Sequence, residues 1–167
     1  RLTEAAERRS AKNVKAVQGV LVEGMGNCLI KFSRCCTPVP GDHIVGFITK
    51  GYGVSVHRKD CINAQSAADP RLADRWVEVS WATQEEKAFS TTLEIHSVDR
   101  DGILIDVATV LSSARVKGTE ISGRELPDGK ARIVATFEVK GVAELDVIRQ
   151  KMRSVSGVID VRRGTTR

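Results

Sequence analysis

The chain has no apolar run approaching the roughly 18 residues that cross a bilayer. It shows no signal-peptide pattern either, so no membrane association is expected. Its 167 residues hold only four cysteines, and two of them, Cys35 and Cys36, are adjacent. That pairing argues against a secreted framework of two disulfides and for a reducing, cytoplasmic location. The C-x2-C spacing common in zinc sites is missing. No oxyanion hole or substrate pocket is recognisable beside the thiols, so an independent enzyme is not expected. There is no internal repeat and no low-complexity tract. The chain also lacks a first methionine: it opens at Arg1 in what reads as the middle of a helix, so a fragment of a longer protein is expected.

What is present is ordinary globular material, 41% hydrophobic and 28% charged. The length suits one large domain or two small ones. Two small halves would each be marginal alone, so packing, a metal or dimerisation would help them. The net charge of +5 is uneven, with +3 in residues 1–18, +2 in 19–60, −2 in 61–88 and +2 in 89–167. A nucleic-acid face in the first 60 residues and a plain solvated basic surface both fit that excess.

Residues 1–16 read as helix, rich in Ala, Glu, Arg and Lys. Val20 to Val22 and Cys28 to Phe32 flank Glu23-Gly24-Met25-Gly26-Asn27 and read as a hairpin. Pro38, Pro40, Gly41 and Asp42 form a turn. Strands are expected at 44–49 and 54–56, a short helix within 59–68, and one strand over Trp76 to Trp81. Thr83 to Lys87 has no apolar period and marks a boundary. Beyond it, strands are expected at 90–98, 118–126, 131–139 and 158–162. Helices are expected at 102–114 and 142–152, with a hairpin at Pro127-Asp128-Gly129. The class is α+β: a helical remnant at 1–16, a small β-rich domain at 17–82, a linker at 83–88, and a ferredoxin-like βαββαβ domain at 89–167.

Cys35, Cys36, His57 and Cys61 are the one set with convincing metal chemistry. Thiolates and imidazole suit zinc in a tetrahedral site. His57 and Cys61 are four apart and could share a helical face, whereas adjacency strains joint ligation by Cys35 and Cys36. The plain alternative is that these thiols are small buried hydrophobes, as Cys28 in its apolar strand is expected to be. Lys50, Tyr52, His57, Arg58 and Lys59 could contact phosphate and stack on bases, or form a solvated rim. Asp99-Arg100-Asp101-Gly102-Ile103-Leu104 sits where a strand turns into a helix. A glycine there admits a ligand to the backbone, and free N–H groups favour a carboxylate. The alternative is a plain turn with Asp101 as N-cap.

The run CCTPVPGDHIVGFITKGYGVSVHRKDC closely resembles the RIS, or zinc-finger-like, module of long RelA/SpoT-type enzymes, which make and hydrolyse (p)ppGpp. Residues 89–167, with DRDGIL in the first loop, resemble the ACT domain that follows it in that family. The resemblance covers about residues 15–167 and implies a non-catalytic regulatory region of the stringent response. It implies synthetase and hydrolase sites upstream, contact with ribosomal RNA and tRNA through the parent protein, and a homodimer through the ACT domain. Cys35, Cys36, His57 and Cys61 match the family's proposed zinc positions, and Lys50, Tyr52, Arg58 and Lys59 would face RNA. A branched-chain amino acid (valine, leucine or isoleucine) would sit between Asp99, Arg100, Asp101, Gly102, Ile103 and Leu104 of one copy and Thr119, Glu120 and Ile121 of its neighbour. Glu120 departs from the asparagine common there: a carboxylate only accepts, so it can pair with a ligand ammonium or repel a ligand carboxylate. The rival reading is an RNA-docking and dimerising module that binds no metabolite.

Overall fold

The computed structural model describes residues 19–24, 28–51, 53–65, 69–82 and 87–164. The expected helix at 1–16 and Tyr52 lie outside the described residues. The chain divides into two units, one from Arg1–Ser33 with His43–Glu85, the other from Arg34–Asp42 with Glu86–Arg167.

The first unit is built of short strands. β1 (Val20–Val22) pairs antiparallel with β6 (Val79–Trp81), Val20 opposite Trp81. β2 (Leu29–Phe32) runs parallel to β4 (Gly53–Arg58), which is antiparallel to β3 (Ile44–Ile48). β3 also pairs with β5 (Trp76–Val77), giving the order β2-β4-β3-β5. Two expectations are corrected here. β1 and β2 do not form a hairpin: each pairs with a strand distant in sequence, β1 with β6 and β2 with β4, and Val20 and Val22 bury beside β6. Trp76 to Trp81 is not one strand, because it breaks at Glu78 and its halves join different sheets. Alternation on β4 turns Val54 and Val56 inward, where they meet Val20, Val22, Cys28, Ile30 and Ile44. Cys28 is therefore a core residue, as expected. Gly46 cannot grow, since a Cβ there would lie 2.7 Å from Val54 Cγ1 and 2.8 Å from Val79 Cγ1. The expected short helix is one turn, α1 (Ile62–Gln65).

The second unit follows the ferredoxin-like expectation. β7 (Phe89–Val98), α2 (Ile103–Ser113), β8 (Gly118–Leu126), β9 (Lys130–Val139), α3 (Val142–Arg153) and β10 (Val158–Arg163) give an antiparallel sheet in the order β10-β7-β9-β8. Asp128 and Gly129 adopt positive φ in the turn between β8 and β9, the chemistry the Pro-Asp-Gly signal implied. Ile103, Val107 and Leu111 line the buried stripe of α2, and Leu145, Ile148 and Met152 that of α3. They share a core with Leu93, Ile95, Ile133, Ala135, Phe137 and Val161. Alternate strand positions carry Glu94, His96, Arg132, Asp160 and Arg162. Glu94 accepts from His96 Nε2 at 2.7 Å and Arg132 Nη2 at 2.9 Å, while Arg162 pairs with Asp160.

The segment Arg34–Asp42 is a strap of this second unit. Val39, between two prolines, is fully buried in its core. Arg163 at the end of β10 clasps Asp42 with two bonds, Nη1 to Oδ1 at 3.1 Å and Nη2 to Oδ2 at 3.0 Å. Its Nη2 also reaches the Thr37 carbonyl at 2.8 Å. Thr37 Oγ1 accepts from the Thr92 N–H at 3.3 Å and contacts the Thr91 hydroxyl at 3.3 Å. The Val142 N–H, at the start of α3, donates to Pro40 O at 2.8 Å.

Candidate functional site

Cys35, Cys36, His57 and Cys61 converge, their ligating atoms all within 4.8 Å of one another. Cys36 and Cys61 are buried, and Cys35 and His57 half-buried. β4 presents His57 opposite Val45. A tight turn then places Cys61, whose N–H donates to the Arg58 carbonyl at 3.0 Å and whose own carbonyl receives Ala64 and Gln65 at the start of α1. Adjacency does not keep Cys35 and Cys36 apart, for their sulfurs lie 4.0 Å from each other. Trp76 packs edge-on against the His57 ring, with centroids 5.9 Å apart. Burial pushes the His57 pKa below its ordinary 6.5, which favours the neutral imidazole that metals require.

This donor set fits a metal. Three thiolates and one imidazole are a recurrent structural zinc set, and Zn–S bonds of about 2.3 Å put tetrahedral ligands about 3.8 Å apart. The group therefore needs only a small contraction to close on an ion. Three sulfurs crowding one imidazole suit ligation better than a single activated nucleophile.

The basic residues are not brought together. Lys50 lies in the turn joining β3 to β4, while Arg58 and Lys59 lie at the opposite end of that hairpin, where Ile44 pairs with Arg58. Arg58 forms an ion pair with Asp60 at 3.4 Å.

In the second unit, a cavity of about 350 Å³ opens between the C-terminal half of α2 and the start of β8. Thr119, Glu120 and Ile121 line it, together with Ala108, Leu111, Ser112, Val116 and Gly118. The β8–β9 register shifts between Gly118 and Glu120. Such a bulge re-aims side chains, here at the cavity wall. Thr119 Oγ1 donates to Thr136 O at 3.1 Å. β8 is an edge strand, and most of its nine residues are exposed. A long unpaired edge is a template for another strand.

Asp99 to Leu104 lie at the other end of α2. Gly102, not Asp101, is the helix N-cap, with φ of 77°. Arg100 stitches the loop: Nε donates to Ser156 O at 2.9 Å, Nη1 to Asp101 O at 2.9 Å and Nη2 to Asp106 Oδ2 at 2.7 Å. Ile103 points into the core, 6% exposed, whereas Leu104 is 39% exposed. Leu104 Cδ1 lies 3.6 Å from the Cβ position of Gly123 on β8. Sequence reasoning missed Ala108 and Ser112 as lining residues. The helical spacing 104, 108, 112 carried that signal, one stripe of α2 facing β8.

Comparison with known proteins gives the two units counterparts. Residues 20–82 match the family model described as the RelA/SpoT RIS domain, and residues 85–163 match an ACT domain. A GTP pyrophosphokinase of Streptomyces coelicolor is 38% identical over 159 residues, 95% of this chain and 18% of its own length. The bifunctional (p)ppGpp synthase/hydrolase RelA of Mycobacterium tuberculosis is 39% identical over 166 residues, 99% of this chain and 22% of its own length. The chain thus spans about a fifth of the length of the curated relatives it matches. Among solved structures, the ACT domain from the GTP pyrophosphokinase of Chlorobium tepidum aligns at 25% identity with a TM-score of 0.42, covering 46% of this chain and 99% of that one. Among the described residues, no helix is long and apolar enough to cross a membrane.

Proposed function

Because the chain belongs to the RelA/SpoT family, as its C-terminal region of RIS and ACT domains, we propose that it is the non-catalytic regulatory part of a (p)ppGpp synthetase/hydrolase. Its ACT domain senses a branched-chain amino acid at an interface between two copies. The observation that carries this reading is the cavity beside the free edge of β8. Ala108, Leu111, Val116 and Ile121 give it apolar walls, and Ser112, Thr119 and Glu120 give it polar groups. A small amino acid with an apolar side chain matches that mixture, and Glu120 suits its ammonium.

Antiparallel pairing of two β8 edges explains the distance between the cavity and the Asp99–Leu104 loop. In such a pair the start of one strand lies beside the end of the other. Leu104 packs over that distal half, at Gly123. The loop of one copy would thereby approach the cavity of its neighbour, with Gly102 and Leu104 nearest. Ligand bound there would bias the arrangement of the parent enzyme by favouring the paired state. Zinc at Cys35, Cys36, His57 and Cys61 is the structural metal of this reading.

Sedimentation velocity with and without valine, leucine or isoleucine tests it. The dimer fraction should rise with ligand, and Glu120→Lys should abolish the rise. A distribution that ignores all three amino acids would refute the sensor. The rival RNA-docking reading draws on the exposed cations Lys50 and Lys59, with Arg58 and Tyr52 nearby in sequence. It predicts salt-sensitive RNA binding that falls when Lys50, Arg58 and Lys59 become Ala.

A further inference from the structure

We propose that the cavity between α2 and β8 selects its ligand by an ammonium group and a branched apolar tail, and does not read a carboxylate. The inference rests on the ligand-sensing reading of this cavity given above and deepens it to a chemical class. That class is the small branched alkylammonium ions, of which branched-chain amino acids are only a part.

Three observations carry it, all within the second unit. The first is Glu120. It lines the cavity, and its carboxylate has no hydrogen-bond or ion-pair partner among the described residues. An ionised carboxylate only accepts hydrogen bonds. The second is Thr119, whose hydroxyl proton is already given to Thr136 O at 3.1 Å. That hydroxyl can then only accept from a ligand. The third is the helix. Leu111 and Ser112 line the cavity from the last turn of α2. Aligned backbone dipoles give a helix C-terminus a partial negative charge, which favours a cation. α3 meets that end with Lys151 and Arg153, whereas the last turn of α2 holds no basic residue.

Nothing of the opposite preference balances these groups. Among the described residues, no lysine, arginine or histidine lines the cavity. Arg115 and Lys117 follow α2, but they are exposed and alternate with the lining residues Val116 and Gly118. The Ser112 hydroxyl can donate, yet a neutral donor holds a carboxylate less strongly than a cation does. The loop whose N–H groups favour a carboxylate, Asp99 to Leu104, lies at the other end of α2. A carboxylate in the cavity would instead meet Glu120 and the negative end of the helix. Ala108, Val116 and Ile121 supply apolar wall for a short branched tail, and an amine without one gains little from it.

The test titrates the whole chain and follows the amide NMR signals of α2 and β8. Valine carries both charges. Valinol and 2-methylpropylamine keep the ammonium and the branched tail without the carboxylate. N-acetylvaline and 3-methylbutanoate keep the carboxylate and the tail without the ammonium. Valinol and 2-methylpropylamine should bind at least as tightly as valine, and the two carboxylates should not saturate. Glu120→Gln should weaken valine and both amines by about tenfold or more, the effect of losing a hydrogen bond between charged groups. Ala108→Leu, which fills the cavity, should abolish all three. Affinities unchanged in Glu120→Gln, or saturation by either carboxylate, would overturn the proposal. The two readings fail separately. If valine binds and neither amine does, the amino-acid reading stands and this proposal falls. If the amines bind and valine does not, the amino-acid reading falls and the proposal stands. No binding by any probe refutes both.

Discussion

The two units solve the problem of stability differently. Among the described residues, the second closes a core of fourteen buried residues between two amphipathic helices and a four-stranded sheet. The first gathers half as many among its described residues, on strands of two to six residues with one turn of α-helix. Small domains bury a smaller share of their surface, and a metal is one common remedy. The cavity stands where a rigid scaffold can hold a small ligand. Chemistry in this chain follows what each unit's packing leaves undone.

The most severe way to break the comparison is to remove a metal ligand. Cys61→Ser should abolish stoichiometric zinc and lower the stability of the zinc-loaded chain by several kcal/mol, since the free energy of binding a structural metal is folding free energy. The helical circular dichroism of the second unit should persist. Elemental analysis and thermal melts check this. The corresponding blow to the second unit is Phe137→Ala. Phe137 is fully buried, and the cavity left should cost about 3–5 kcal/mol in denaturant titration.

A gentler probe is Gly46→Ala. The new Cβ would press on Val54, Val79 and Val77, three side chains of one tight layer. Overpacking of this kind costs about 1–3 kcal/mol, and the loss should appear in the first unit's transition alone.

The smallest effect comes from pH, and it separates the units by window. Burial lowers the His57 pKa from 6.5, so the unfolded chain binds that proton more readily. In the metal-free protein, its contribution is present above pH 6.5 and is lost as the pH falls through the folded value. In the second unit, the hydrogen bond from Arg132 holds Glu94 below its usual 4.5. That stability is present above pH 4.5 and is lost only as the pH falls through the lower folded value. As the pH falls from 6.5 the His57 contribution should be lost first, and the Glu94 contribution only below pH 4.5. Melts from pH 7 to 5 in chelator check it, and Glu94→Gln should blunt the loss below pH 4.5.

The same contrast explains what could be read from sequence. The second unit declares itself locally: the period of Ile103, Val107 and Leu111, the alternation of Ile133, Ala135 and Phe137, and the Pro-Asp-Gly turn each fix an element from neighbouring residues. The first unit is assembled from distant pairings. Nothing in Val20–Val22 names Val79–Trp81 as its partner, and nothing in Leu29–Phe32 announces a parallel neighbour. The Glu23–Asn27 turn residues pointed to a hairpin the chain does not make. The strap was least legible of all. A Pro-Val-Pro-Gly-Asp sequence has the composition of a surface turn, yet Val39 enters a core and Asp42 meets an arginine 121 residues away. The cysteine–histidine set could be recognised because its chemistry is rare in the chain. That two adjacent thiols could converge was a matter of backbone geometry.

The most direct measurement is calorimetric titration of the whole chain with valine, leucine and isoleucine, with glycine and aspartate as controls. The account predicts saturable heat from the branched set alone, lost when Glu120 is changed to Lys or Gly102 to a bulky residue. No heat from any of the five, together with an unchanged amide NMR spectrum for β8, would contradict it and leave the ACT domain as an architectural part.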